Sequence, residues 1–320
     1  MDAPDVLVLN QKVHGMSPHA YRDAIRDRLP DAIVRLAATP ADRRSLLPQS
    51  QFVTGYHIRA DELAHADRLD LFACTFAGTD HLPTDALHNH GVVVTNAAGV
   101  HGPNAAEQVL AFLLAFRRGL DRAWANTEAG RWQHYQTKEL HGSTVTVVGM
   151  GAIGTAILQR LAPFGVERIG VRHSPQKSGP AERIVGYDEF PNVVPDSDAL
   201  VLACPLTDLT HHLVDETVLG LLPPDALLVN IARGPVVKTN ALVAALQSND
   251  IAAAALDVTD PEPLPPEHTL WTLDRCLITP HNAGHTPQYW NRCADILATN
   301  VRRLHDAGTS DTAKIENLVA

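Results

Sequence analysis

The stretch Ser143-Thr-Val-Thr-Val-Val-Gly-Met-Gly-Ala-Ile-Gly154 decides how the rest of the chain is read. Thr144 to Val148 is an apolar, β-branched run suited to a strand buried on both faces. It enters a glycine turn, and a helical pattern then runs from Ala152 to about Leu161. Gly149, Gly151 and Gly154 have the spacing G-x-G-x-x-G. The first glycine permits the tight turn, the second lets the backbone approach a pyrophosphate, and the third lets the helix close on the strand. The helix N-terminus then offers free N–H groups and its positive dipole end to phosphates. Gly149, Gly151, Ala152, Ile153 and Gly154 are therefore expected to bind a dinucleotide. A purely structural turn is the plainer reading of the same glycines.

Working outward, strands are expected at Arg168–Val171, Ala199–Ala203, Leu227–Ile231, Ala252–Val258 and Cys276–Ile278, with helices near Asp215–Leu222 and Thr239–Gln247. This is the doubly wound order of a Rossmann domain over residues 101–284. Upstream, Asn104 to Leu120 carries apolar residues at helical spacing and reads as one long buried helix. Before it, strand patterns at Val6–Leu9, Ile33–Ala38, Phe52–Gly55, Leu69–Phe76 and Val92–Thr95 alternate with helical ones at Pro18–Leu29, Ala41–Leu47, Asp61–Ala66 and Pro83–His88. That alternation implies a parallel sheet covered on both faces. A tail helix, Pro287 to about His305, packing back on this first unit would make it discontinuous. The expected architecture is α/β: two Rossmann-like or flavodoxin-like domains with parallel sheets and a cleft between them. Residues 1–100 plus 285–320 form the substrate (catalytic) domain and residues 101–284 the dinucleotide-binding domain.

Composition narrows the function classes. With 45% hydrophobic and 19% charged residues, the chain has the make-up of a folded protein. A net charge of -10 argues against nucleic acid, which needs a basic face. No apolar run approaches the roughly 20 residues that cross a bilayer. The start, Met-Asp-Ala-Pro-Asp, passes directly into a strand, so a soluble, cytoplasmic protein without a signal peptide is expected. Cys74, Cys204, Cys276 and Cys293 lack C-x-x-C spacing and read as reduced thiols. No His/Cys spacing fits a metal site, so no metal is expected.

Chemistry-bearing residues cluster just past strand ends, where ligands sit in parallel α/β sheets. Asn230-Ile-Ala-Arg-Gly places Arg233 at a strand mouth; its planar fork suits a carboxylate, though such an arginine is commonly a solvated charge. Ala255-Leu-Asp-Val-Thr-Asp-Pro-Glu-Pro embeds Asp257 in a strand and sets Glu262 between prolines, where turn chemistry explains acids equally well. Thr279-Pro-His-Asn-Ala-Gly ends the last strand with His281, one of 17 histidines. In the first unit, the amides of Ala77, Gly78 and Thr79 follow a strand and could form an anion nest. A plain strand-to-helix connection is the alternative.

Taken in order, these motifs resemble the D-2-hydroxyacid dehydrogenase family, D-isomer-specific NAD(P)-dependent enzymes such as the glyoxylate/hydroxypyruvate reductases. The resemblance spans nearly the whole chain: Glu139-Leu-His-Gly, the glycine turn, Pro205-Leu-Thr with Thr210, Asn230-Ile-Ala-Arg-Gly, Ala255-Leu-Asp-Val with Glu262-Pro, and Thr279-Pro-His281. It implies a catalytic trio of Arg233, Glu262 and His281, and a substrate-carboxylate loop at Ala77 and Gly78 aided by Arg233 and His281. It adds Cys204, Pro205, Thr210, Ile231, Ala232, Asp257, His281 and Gly284 as cofactor contacts, and a homodimer paired through the cofactor domain. The implied reaction is hydride transfer to a small 2-keto acid in the interdomain cleft, with His281 as general acid oriented by Glu262.

Cofactor choice follows from a departure. NAD-preferring domains carry Asp or Glu about 20 residues past the glycines, on the ribose hydroxyls. Here Ile169-Gly-Val is followed by Arg172-His173-Ser174, with Lys177 close behind. A cation suits a 2′-phosphate, so NADPH is expected over NADH, with NAD still usable. A cofactor-sensing corepressor on the same fold is the alternative from another class; the intact trio and the lack of long disordered flanks weigh against it. Phosphite or formate oxidation has no compelling signature.

Overall fold

Val6–Leu9, Phe52–Gly55 and Leu71–Cys74 are buried at every position, as expected of strands covered on both faces. A computed structural model describes residues 3–13, 15–307 and 314–319. The chain divides into two compact units, residues 1–100 with 285–320, and residues 101–284.

In the first unit, β1 (Val6–Leu9), β2 (Val34–Ala37), β3 (Phe52–Gly55), β4 (Leu71–Cys74) and β5 (Val93–Thr95) form a parallel sheet in the order β2-β1-β3-β4-β5. Ser17 caps the helix Pro18–Arg28 by accepting from His19 N–H. The helix Tyr289–Ala307 joins the same core as Val6, Tyr21 and Ile25 through Tyr289, Trp290, Ala294 and Leu297. Trp290 stacks on Tyr21 at 4.4 Å, and Tyr289 Oη donates to Thr75 O.

The second unit carries β6 (Thr144–Val148), β7 (Glu167–Val171), β8 (Arg183–Val185), β9 (Ala199–Leu202), β10 (Leu227–Asn230), β11 (Ala253–Leu256) and β12 (Cys276–Ile278). They form one parallel sheet in the order β12-β11-β10-β9-β6-β7-β8. Strand order reverses between β9 and β7 around β6, which places a ligand crevice beyond the carboxyl end of β6. Two apolar clusters cover its faces, one with the helices Glu216–Leu221 and Thr239–Ser248, the other with Gly102–Arg117 and Ala152–Leu161.

The single helix expected from Asn104 to Leu120 is two. Gly102–Arg117 ends, Gly119 takes a left-handed φ of 64°, and Leu120–Glu128 begins. A side chain on Gly119 would strike the Tyr135 ring, so glycine is required there on two counts. The strand β8 leaves no sequence signal, because it is three residues long with an exposed Arg183. All four cysteines are free thiols, three buried and Cys276 half-buried. Burial pushes Cys204 up to about 11 and Cys276 up to about 12, so both stay protonated and inert at neutral pH. Among the described residues, no helix is long and apolar enough to cross a membrane, and no His/Cys/Asp/Glu group could hold a metal ion.

Candidate active site

Because the seven-stranded sheet is parallel, the loops after β6, β7, β9, β10, β11 and β12 all leave its carboxyl edge. The glycine turn after β6 is constrained by packing at two of its three glycines. Gly149 sits at φ 96°, and a Cβ there would stand 2.6 Å from Cys204 Cα. A Cβ on Gly154 would meet Gly149 O at 1.8 Å, so the helix Ala152–Leu161 can seat only on glycine. Gly151 differs: a Cβ there would meet nothing within 4 Å. Internal packing therefore explains Gly149 and Gly154 but leaves the space beside Gly151 open, as a phosphate-binding turn requires. Among the described residues no side chain caps that helix, which leaves its first N–H groups for a ligand.

A groove of about 380 Å³ opens there, lined by Gly149, Met150, Gly151, Arg172, His173, Ser174, Tyr187, Ala203, Pro205, Thr207, Leu209 and Thr210. The mix of an open glycine turn, a half-buried arginine and apolar walls fits a phosphorylated adenosine. Thr210 is buried, and its hydroxyl donates to Pro205 O at 2.6 Å while accepting from Thr207 N–H at 2.8 Å, which shapes the wall. Cys204 contributes backbone alone to this region, because its thiol lies in the core beneath. Tyr187, unforeseen from sequence, adds a half-buried phenol that burial pushes up to about 12.

The loops after β10, β11 and β12 are bonded into one piece. Buried Asn230 accepts from Ala232 N–H at 3.0 Å and donates to Arg233 O at 3.1 Å, closing the turn that carries Arg233. Ile231 and Ala232 are buried, whereas the Arg233 side chain is exposed and its Nη1 donates to Ala232 O at 2.7 Å. A Cβ on Gly234 would fall 1.9 Å from Thr259 O, so this turn lies directly on the chain leading to Glu262. Asp257, 2% exposed, accepts from Asn282 N–H and Ala283 N–H at 2.9 Å each and from Thr279 Oγ1. His281 N–H donates to Asp257 O at 2.8 Å. These bonds hold His281 at φ 55°, a left-handed conformation that costs a non-glycine residue about 1–2 kcal/mol. The held imidazole meets Glu262: His281 Nδ1 lies 2.7 Å from Glu262 Oε1, both side chains half-exposed. From the far side, His101 Nδ1 donates to Gly284 O at 2.9 Å and Asn104 to Ala283 O.

In the first unit, Ala77 and Gly78 are exposed after β4. The N–H groups of Ala77, Gly78 and Thr79 have no acceptor among the described residues. None of the three has positive φ, so the turn lacks the alternating right- and left-handed backbone of a nest, and its donors are simply unclaimed.

Residues 110–283 match the family model described as D-isomer specific 2-hydroxyacid dehydrogenase, NAD binding domain. The chain belongs to the D-isomer specific 2-hydroxyacid dehydrogenase family. The human glyoxylate reductase/hydroxypyruvate reductase is 36% identical over 239 residues, covering 73% of this chain and 73% of that one. A glyoxylate reductase of Aeropyrum pernix is 35% identical over 255 residues, 76% of each. Among solved structures, a D-isomer specific 2-hydroxyacid dehydrogenase from Xanthobacter autotrophicus Py2, crystallised with NADPH and MES, aligns with a TM-score of 0.76 at 26% identity, covering 99% of this chain and 98% of that one.

Membership of the 2-hydroxyacid dehydrogenases makes this an oxidoreductase of an NAD(P)-dependent family. Within that frame, Asn230, Asp257, Gly234, His101 and Asn104 are the residues whose local work was not read from sequence. Each acts through backbone bonds or close packing between distant segments, which leave no periodic signal.

Proposed function

We propose that the chain is a D-2-hydroxyacid dehydrogenase working as an NADPH-preferring reductase of small 2-keto acids, with His281 as general acid. The observation that carries the reading is the His281–Glu262 pair, 2.7 Å apart on loops tied to each other at the sheet's carboxyl edge. A bound nicotinamide coenzyme supplies the hydride. Gly151 and the uncapped start of the helix Ala152–Leu161 would hold its pyrophosphate, and Arg172, with Ser174 and Lys177, a 2′-phosphate. Asp257, through Asn282 and Ala283, fixes the loop beside which that coenzyme would lie.

Glu262 accepts from His281 Nδ1, which orients the ring and balances its charge, leaving Nε2 to protonate the oxygen of the reduced carbonyl. Arg233 would clamp the substrate carboxylate and polarise the keto oxygen. The family motif at Ala77 and Gly78 adds their unclaimed amides to the proposal as carboxylate donors. Glyoxylate and hydroxypyruvate are the first substrates to try, because relatives at 35% and 36% identity are named for them. Homodimer formation through the cofactor domain is part of the proposal, supported by Trp132 at 95% exposure and by the helix Leu120–Glu128, which buries no residue.

A panel of 2-keto acids assayed with NADPH and with NADH, following loss of coenzyme absorbance, tests the reading. Turnover of a short keto acid with higher kcat/KM for NADPH is expected. Higher kcat/KM for NADH would overturn the cofactor choice, and no turnover of any keto acid would overturn the reaction.

A further inference from the structure

Among the described residues, the loop bearing Arg172, His173, Ser174 and Lys177 has few hydrogen bonds to hold it. Arg172 N–H donates to Val185 O at 3.0 Å and Lys177 N–H to Ser174 O at 3.2 Å, and Arg172 Nη1 lies 3.5 Å from Ser178 O. Packing supplies the rest, through two glycines. A Cβ built on Gly179 would stand 2.4 Å from Met150 Cε, and one built on Gly170 would stand 2.3 Å from Met150 Sδ. Neither glycine has left-handed backbone, so conformational freedom does not explain them; room for a thioether does. Met150 belongs to the phosphate turn and is 7% exposed. Its side chain lies against β7 at Gly170 and against the far limb of the loop at Gly179. The thioether therefore packs on glycine at both ends of its reach, with no side chain of Gly170 or Gly179 between it and either segment.

We propose that Met150 is a positioning residue for coenzyme choice: seated on Gly170 and Gly179, it sets the height of the 172–179 loop and so places the Arg172 guanidinium and Ser174 hydroxyl for a 2′-phosphate. This rests on the NADPH reading and names the part of the chain that carries its selectivity. The phosphate turn and the selecting loop are then one mechanical unit, with Ser178 passing the position of Gly179 to Arg172. A methyl group at position 179 lifts the loop and carries the cation away from the phosphate, while the adenosine monophosphate portion of the ligand keeps its contacts with the glycine turn.

The test uses the full chain without substrate and measures binding of 2′,5′-ADP and 5′-AMP by calorimetry. Gly179→Ala is expected to weaken 2′,5′-ADP about tenfold, the scale of one charge-assisted hydrogen bond, and to leave 5′-AMP unchanged. Adding Met150→Ala to that variant makes room for the new methyl and returns most of the lost affinity. Equal weakening of both nucleotides, or unchanged 2′,5′-ADP binding, overturns the role of Met150. A parent protein that binds 2′,5′-ADP no tighter than 5′-AMP overturns the NADPH reading and the inference together, which separates the two failures.

Discussion

A buried carboxylate and backbone bonds tie the loops after β11 and β12 to each other, while a buried amide closes the loop after β10, whose Gly234 packs on Thr259. The loop after β7 has few such bonds and rests on a methionine. The difference matches the two tasks proposed for them. Proton transfer to a carbonyl oxygen tolerates little misplacement, and an ångström of slack can cost a hundredfold. Holding a phosphate with flexible, partly exposed cations is a longer-range and more forgiving interaction. Damage to the first set should therefore appear in kcat, and damage to the second in coenzyme affinity.

The largest effect is expected at the imidazole itself. His281→Ala should lower kcat by roughly 10²–10⁴, the usual weight of general acid catalysis; parent-rate turnover would remove His281 from the chemistry. Next, Asp257→Asn places an amide donor against the N–H groups of Asn282 or Ala283. Thermal or denaturant unfolding should show a loss of about 2–3 kcal/mol, accompanied by a lower kcat as the His281 loop slackens. An equally stable, equally active variant would show that this carboxylate does not hold the loop. Arg233→Ala should lower kcat/KM about 10- to 100-fold through both KM and kcat, as steady-state kinetics across substrate concentrations would show. Arg172→Ala should cost about tenfold in kcat/KM with NADPH and leave NADH almost unchanged. An equal loss with both coenzymes would erase the contrast between the two regions.

The fold was legible wherever one physical signal dominated. Val145 to Val148 is a wholly β-branched run and Leu227 to Val229 an apolar one, and the structure buries each of these residues completely or nearly so. Boundaries shifted where ends are shared with turns: Leu69–Phe76 shortened to Leu71–Cys74, and Ala252–Val258 to Ala253–Leu256. The helix break at Gly119 was hidden because the helical pattern runs past it, and its cause is the Tyr135 ring from further along the chain. In the site, His281 and Glu262 stood in readable motifs, and the structure brings them within hydrogen-bond distance. The left-handed backbone of His281 and the bonds from Asp257 that sustain it depend on segments 25 and 26 residues apart. Short-range patterns do not encode such pairings. The seat of Gly179 on Met150 is equally nonlocal, since an isolated loop glycine reads as a flexible turn.

The most direct measurement is single-turnover oxidation of bound NADPH by glyoxylate or hydroxypyruvate in Glu262→Gln protein beside the parent. If Glu262 orients a proton-donating His281, the transient should slow by about 10- to 100-fold while the dissociation constant for NADPH stays the same. A transient as fast as the parent's would contradict that arrangement.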